Sequence, residues 1–227
     1  MEEKLQKIKE IAQREMKEAE SAHDFLHVMR VYNLCLHLAK TDPDVDLEIL
    51  KAAIFLHDIA RVKEDSDASG KIDHAIFSAK MAQKILRNLD YPEEKIKQIE
   101  HCIVAHRFRS GNEPQTKEAK ILFDADKLDV LGTIGIARSY TMAGRYGEKM
   151  YLDVSIAQYV KENLVGGKEG GRIKVISKHA PNLEYELKFK RIPDRLYTKE
   201  AKRIARDRLK FMDQFYKRFK KEMAGEK

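Results

Sequence analysis

The stretch Phe55-Leu56-His57-Asp58-Ile59-Ala60 closes an apolar run, EILKAAIFLHDIA, whose spacing is that of a buried helix. An imidazole and a carboxylate placed there need a partner, because burying polar groups unpaired is costly. His27 shares a helical face with Val31, Leu34 and Leu38, and Asp126 shares one with Leu122, Val130 and Thr133. His57 and Asp58 share theirs with Leu50, Ile54 and Arg61. Taken singly, each has a plainer use: a satisfied core imidazole, an Asp126 paired with an arginine, an Asp58 that caps or bridges helices. Together, two imidazoles and two carboxylates suit a borderline-hard divalent ion such as Mn²⁺, Fe²⁺, Co²⁺, Ni²⁺ or Zn²⁺, with positions left open for water. The buried partner of His57 and Asp58 is then a single metal ion.

Helices must bring these residues together. Apolar residues recur at helical spacing almost throughout, so the fold class expected is all-α. The first helix spans 2–20. DFLHVMRVYNLCLHLAK is the second, capped by Asp24, and PDVDLEILKAAIFLHDIARV is a continuous third, opened by Pro43 and Asp44. DHAIFSAKMAQKILRNL follows with Asp73 as its cap. PEEKIKQIEHCIVAHR starts with Pro92 in its first turn. KEAKILFDADKLDVLGTIGIARSYTMAG makes one long sixth helix. Segments 63–71 and 109–116 are exposed loops. Segment 165–182 holds Gly166, Gly167, Gly170 and Gly171 and a β-leaning RIKVIS, which suggests a short hairpin or a mobile insertion. A last helix starts near Thr198 and packs through Ala201, Ile204, Phe211, Phe215 and Phe219. No repeat or long linker divides the chain, so a single domain is expected, with a core of about 20–147, an insertion of about 148–182 and C-terminal helices of about 183–222 that pack back on it.

Composition narrows the class. Of 227 residues, 43% are hydrophobic and 36% charged, which suits a globular protein. No apolar run reaches the length of a membrane span, and the charged N-terminus has no secretory h-region, so a cytoplasmic location is expected. The two cysteines, Cys35 and Cys102, form no CxxC pair and read as buried hydrophobes. The net charge is +7, with much of the excess in the last thirty residues. That segment is either an anion-attracting face or a solvated helix face. Its apolar stripe commits it to packing, which argues against nucleic acid as a partner.

The segments HVMRV (27–31), HDIAR (57–61) and DADKLD (124–129) match the H…HD…D signature of the HD-domain metal-dependent phosphohydrolases. HDFLHVMRVYNLCLHLA, DHAIFSAKMAQKIL, DADKLDVLGTIGIARSY and RLYTKEAKRIARDRLKFMDQF resemble the bacterial and archaeal subgroup that includes nucleoside triphosphate pyrophosphohydrolases. The likeness covers roughly residues 20–147 and 183–222. It implies an HD-domain helical bundle with His27, His57, Asp58 and Asp126 as metal ligands. Related enzymes with two metals use further histidines, and His74, His101 and His106 stand at suggestive positions. His101 and His106 are five apart and do not share one face, so a single metal is favoured. His74 and His106 are left for proton transfer and phosphate binding, or for structure, and His23 lies near the site mouth.

The substrate inferred is a phosphate ester or anhydride, most of all a (deoxy)nucleoside triphosphate, attacked by water that a divalent ion activates. No P-loop, GxSxG or Cys-His motif offers a covalent or nucleotide-cradling alternative. Cations should stabilise the phosphoryl charge. Lys127 and Arg61 come first, then Arg30, Arg138 and Arg145, with Arg30 alternatively paired to Asp129. Among Glu64, Asp65 and Asp67, Asp65 is the carboxylate chosen to handle protons, as a carboxylate from this region does in related enzymes. The competing readings are a phosphomonoesterase or cyclic-nucleotide phosphodiesterase on the same centre, and a non-catalytic nucleotide- or nucleic-acid-binding module. The chain is expected to be a monomer or homodimer.

Overall fold

Helix signals dominate the sequence, and helices dominate the computed structural model, in which residues 2–19, 23–67, 69, 71–107 and 111–226 are described. In order these are α1 (Glu2–Glu15), α2 (Phe25–Ala39), α3 (Leu47–Leu56), α4 (Arg61–Asp65), α5 (His74–Asn88), α6 (Glu93–Ala105), α7 (Lys117–Leu128), α8 (Gly132–Tyr146), α9 (Ile156–Asn163), α10 (Pro181–Leu187), α11 (Ile192–Arg195) and α12 (Lys199–Met223). The all-α expectation holds. Among the described residues no strand forms, and the hairpin expected in 165–182 reduces to one isolated antiparallel bridge between Leu164 and Ile173 beside short 3-10 turns. Its glycines explain the difference, since Gly166, Gly167 and Gly170 have positive φ and turn the chain where a ladder would have to continue.

The chain forms two compact units, Met1–Lys127 with Leu196–Ala201, and Leu128–Arg195 with Lys202–Lys227. In the first, α3 packs against α1, α2 and α6, and α5 packs against α6. Seven of its ten residues are buried, from Ile49 and Leu50 to Phe55 and Leu56. A helix that is apolar almost all round belongs in the middle of a core, and its last residue delivers His57 and Asp58 there. Asp46 caps α3 by accepting from the Glu48 and Ile49 amides. The helix therefore opens at Leu47, four residues after Pro43, because a carboxylate that can satisfy two orphan amides sets the start. Asp24 caps α2 and Asp73 caps α5, both as expected. Pro92 is the N-cap residue of α6 and lies just outside the first turn.

Two expected helices are broken. The third stops at Leu56, turns through His57–Ala60 and resumes as α4, so 63–65 is helical where a loop was expected. The amide of Ala60 donates to the buried Ser78 hydroxyl at 3.0 Å, which fastens this turn to α5. The sixth divides into α7 and α8. Gly132 has φ +73, and a Cβ at Gly135 would lie 2.1 Å from the Val130 carbonyl oxygen. Only glycine accepts that approach, and the chain bends there.

The second unit has its own small core of Tyr159, Val160, Leu164 and Leu183, flanked by Leu152 and Ile156. Tyr159 hydroxyl and His179 Nδ1 lie 2.6 Å apart, and Asn182 pairs with the backbone of Leu152. Helix α12 begins where expected, and its buried residues are Ala201, Ala205, Met212 and Tyr216, while Phe211 is 45% exposed. Of the expected stripe, Ala201 is buried, Ile204, Phe215 and Phe219 are half-buried, and Phe215 and Phe219 meet the Tyr140 ring.

Asp124, fully buried on α7, accepts from the Tyr197 and Thr198 amides at 2.8 and 2.7 Å. It ties the 196–201 segment into the first unit, and its loss removes the partner of two half-buried amides. We expect Asp124→Ala to cost about 2–4 kcal/mol in urea unfolding, the sum expected for charge-assisted bonds to a buried carboxylate. Unchanged stability would show that the clasp carries no weight.

Candidate metal centre

Each polar residue of the centre sits at a helix end or first turn, where side chains reach inward past the last apolar layer. His27 lies in the first turn of α2, and His57 and Asp58 follow the last residue of α3. His74 opens α5, His106 follows α6, and Asp126 lies near the end of α7. All six belong to the first unit. His57, Asp58, His27 and His106 are 0%, 3%, 1% and 2% exposed, so whatever they bind is almost wholly withdrawn from water.

Asp58 is the hub. Its Oδ2 lies 3.7 Å from His27 Nε2 and 3.8 Å from His57 Nε2. His27 Nε2 is 3.4 Å from His57 Nε2 and 3.4 Å from Asp126 Oδ1. On the other side, Asp58 Oδ1 lies 3.3 Å from His74 Nε2 and 3.4 Å from His106 Nε2, which are themselves 3.3 Å apart. Two groups of donor atoms therefore share Asp58: His27, His57 and Asp58, and Asp58, His74 and His106. The four ligands inferred from the sequence converge. His74 and His106, read there as proton-transfer and phosphate-binding residues, stand around the second oxygen. His101 is engaged elsewhere, accepting from the Gln115 amide at 2.9 Å. His23 meets His27 edge-on, with ring centroids 6.1 Å apart.

The chemistry of this donor set fits a cation. His57 Nδ1 lies 2.7 Å from the Ile54 carbonyl oxygen and His106 Nδ1 lies 2.5 Å from that of Ile103. A carbonyl only accepts, so each Nδ1 carries the proton and each Nε2 presents a lone pair to the centre. Burial pushes the His57 imidazole down to about 4, which keeps it in the neutral, metal-binding form. Burial alone would raise the Asp58 carboxyl, but His57, His74 and His106 together outweigh it and hold the group well below the ordinary range. Its Oδ1 is buried without a hydrogen-bond partner. The His74 and His106 Nε2 lone pairs, 3.3 Å apart beside an unsatisfied carboxylate oxygen, call for positive charge between them.

Glu64, Arg61, Arg107 and Asp73 hold the centre in place, and spacing alone did not reveal them. Glu64 Oε2 lies 2.6 Å from His74 Nδ1 and 3.0 Å from Arg61 Nη1, and its Oε1 lies 2.8 Å from Arg107 Nη1. Arg107 also pairs with Asp73 at 2.9 Å. Although burial opposes it, Glu64 is held at about 2 by His74, Arg61 and Arg107. Arg61 is accordingly tied to Glu64, His74 and, at 3.4 Å, Asp65. Burial leads in raising the Asp65 carboxyl above its ordinary value. Asp67 shapes the loop that delivers His74, accepting from the Ser69, Lys71 and Ile72 amides and the Ser69 hydroxyl. The signal in the sequence was the density of carboxylates directly after HD, but a loop reading removed their direction.

The other cations differ. Lys127 Nζ is 2.5 Å from Asp126 Oδ2 and lies over the Phe123 ring. Arg30 is partly buried one turn after His27 on α2. Arg138 pairs with the buried Asp129 in the second unit, the partner that the sequence reading had offered to Arg30. Arg145 is exposed and lies over the Tyr146 ring.

Comparison with known proteins agrees with this geometry. Residues 24–131 match the HD domain. The chain is 27% identical over 209 residues to YpgQ of Bacillus subtilis, covering 90% of this chain and 86% of YpgQ. It is 26% identical over 147 residues to the 3′-5′ exoribonuclease YhaM of the same organism, covering 57% of this chain and 47% of YhaM, so it spans about half the length of that enzyme. An HD-superfamily hydrolase from Bacillus thuringiensis has a similar structure, with a TM-score of 0.69, 26% identity and 98% of both chains covered. YpgQ in complex with ADP is similar in fold, with a TM-score of 0.70 at 23% identity over 97% of this chain and 95% of YpgQ. Within residues 24–131 the helices and the His/Asp centre fall inside the HD-domain match. Residues 24–131 form an HD domain, and the likeness to an HD-superfamily hydrolase supports metal-dependent phosphohydrolase activity.

Glu64 orients His74 without belonging to either donor group. Glu64→Ala is expected to remain folded and to lose about 10- to 100-fold in metal affinity, read by metal titration; full affinity would remove Glu64 from the centre. For Asp67, hydrogen bonds led by the Ser69 hydroxyl hold the carboxyl at about 2, below the ordinary 3.8. A depressed folded value gives stability that is complete above the ordinary pKa and is lost as pH falls toward about 2. The melting-temperature gap between wild type and Asp67→Asn should therefore be widest above pH 5 and shrink toward pH 2, as a calorimetric pH series would show.

Proposed function

We propose that the chain hydrolyses nucleotides, most of all (deoxy)nucleoside triphosphates, at this centre. The observation that carries the proposal is the buried Asp58 carboxylate with His27 and His57 beside one oxygen and His74 and His106 beside the other. His27, His57, Asp58 and Asp126 would hold one divalent ion, and Asp58, His74 and His106 would hold a second, which revises the single-ion expectation. Mn²⁺, Fe²⁺, Co²⁺, Ni²⁺ and Zn²⁺ all suit imidazole and carboxylate donors. Such ions supply Lewis acidity toward a phosphoryl oxygen and a water of lowered pKa.

The chain's own residues supply the rest. Carbonyls of Ile54 and Ile103 and the Glu64 carboxylate fix the His57, His106 and His74 rings, so no reorganisation is needed when charge develops. Lys127 is the cation beside Asp126 that would meet a phosphate arriving at that side, with Arg30 one turn beyond His27. The raised carboxyl of Asp65 keeps it in the proposal as the group that gives a proton to the leaving oxygen. Arg138 and Arg145 remain proposed phosphate contacts, Arg138 against the claim of Asp129. Support for a nucleotide comes from YpgQ, whose fold this chain shares and which is known with ADP. The likeness to YhaM favours a second reading, cleavage of a phosphodiester at the same centre. No helix among the described residues is long and apolar enough to cross a membrane. A cytoplasmic enzyme, monomeric or homodimeric, acting on a small phosphorylated substrate completes the reading.

The test is metal-dependent hydrolysis across nucleoside triphosphates, monophosphates, cyclic nucleotides and short RNA, with products identified. We expect turnover of triphosphates with Mn²⁺, Co²⁺ or Ni²⁺. Asp58→Ala should stay folded while losing bound metal and at least about 10³-fold in rate, the scale of removing a principal electrostatic contribution. Unchanged turnover in a folded Asp58→Ala protein would remove the mechanism, and release of nucleotides from RNA alone would transfer it to the second reading.

A further inference from the structure

A cleft of about 440 Å³ opens in the first unit between α1, α4 and α5, lined by none of the metal-centre residues. Its volume is in the range of small-molecule sites. Ile11 of α1 and Met81, Ile85 and Leu89 of α5 line it with apolar surface, and Arg14, Lys63 and Lys84 add positive charge against the single carboxylate of Glu15. Arg14 stands 3.8 Å from Glu15. Lys63 and Lys84 have no carboxylate partner among the described residues. Lys63 rests instead against the Met81 sulfur at 3.5 Å and over the Phe77 ring at 5.3 Å. Other lysines of this unit are neutralised, Lys95 by Asp46 and Glu48, and Lys117 by Asp42 and Asp44.

We propose that this cleft binds a small organic anion with an apolar body and that its occupancy is felt at the metal centre through α4. The apolar body lies on Ile11, Met81, Ile85 and Leu89, and the phosphate or carboxylate is met by Lys63 and Lys84. Helix α4 joins the two places within five residues: Lys63 lines the cleft, and its neighbour Glu64 holds His74 Nδ1 at 2.6 Å. An anion that draws Lys63 toward the cleft bears on the same turn that orients a metal-centre imidazole. Each ligand thus biases one shared element, which is the physical requirement for coupling. The coupling half rests on the metal-centre reading, whereas the binding half does not.

The probe for binding is 8-anilinonaphthalene-1-sulfonate, an apolar anion that fluoresces when withdrawn from water. Folded wild type is expected to bind it in a salt-sensitive manner, with adenosine 5′-monophosphate or decanoate displacing it and so telling a nucleotide from a fatty anion. Lys84→Glu should weaken binding at least about tenfold, the loss of one charge-assisted contact, and Lys84→Arg should retain it. Asp58→Ala should bind the dye as wild type does. Equal binding by wild type and Lys84→Glu, or displacement by neither competitor, overturns the site. For the coupling, the Mn²⁺ dissociation constant is measured with and without the displacing anion. A shift of at least about threefold, matched by an equal shift of the anion's affinity with Mn²⁺ and absent in Lys84→Glu, is expected from reciprocity. An unmoved Mn²⁺ affinity overturns the coupling while leaving the hydrolase reading untouched.

Discussion

Burying the Asp58 carboxylate among four imidazoles creates a demand for positive charge that the side chains around it do not meet. Oδ2 has His27 and His57 nearby, Oδ1 has His74 and His106, and Oδ1 receives no hydrogen bond. Protonating the imidazoles would answer the demand in principle. Desolvation opposes it, however, and His57 is held neutral to about pH 4. The Nδ1 protons of His57 and His106 are already given to carbonyls, so their Nε2 atoms face inward as acceptors. An isolated buried carboxylate beside inward lone pairs is expensive in a core, and it persists where a cation repays the cost.

Much of the first unit is arranged to keep that centre rigid. Helix α3 is buried on nearly every face, which fixes where its end must lie. The turn that follows is held by Ser78, a residue of the helix that also carries His74, so the HD pair and His74 move together. Glu64, Arg107 and Asp73 form a chain from α4 through the end of α6 to the cap of α5. Each surface-type ion pair of this kind contributes little alone. A connected set that also orients a histidine is different, because displacing one member disturbs the ring geometry on which ligand affinity depends.

The parts legible in the sequence were those written in periodicity and residue type. Asp24 and Asp73 were recognisable as caps, since a carboxylate before an apolar-periodic run has one obvious task. His27, His57, Asp58 and Asp126 were recognisable because polar residues on apolar faces are anomalous. What escaped was where helices break. The stop after Leu56 depends on Ser78, some twenty positions later, and the stop before Gly132 depends on a backbone approach to Val130. The second donor group was raised from the sequence and set aside because His101 and His106 share no face; the pair that meets is His74 and His106, which begin one helix and follow another, and only packing of α5 against α6 brings their Nε2 atoms within 3.3 Å. In the α12 stripe Phe211 alone was misplaced, since it is exposed while the neighbouring Met212 is buried.

Charge balance around the centre bears on which residues can meet a phosphate. Arg61 looks from the sequence like a ready anion binder, yet it shares Glu64 with Arg107, and Asp65 and Asp73 lie against the pair as well. Two guanidiniums facing three carboxylates carry no surplus positive charge toward an incoming anion. Lys127 is likewise against Asp126, at 2.5 Å. A phosphate approaching this cluster of carboxylates would therefore be repelled unless divalent charge is present among the imidazoles, because Coulomb interactions in a withdrawn site are stronger than in water. The local arginines thus act chiefly as braces for Glu64 and His74. Affinity for the substrate's phosphates then depends on the same ions that the chemistry requires, so that a centre without metal would lose binding and turnover together.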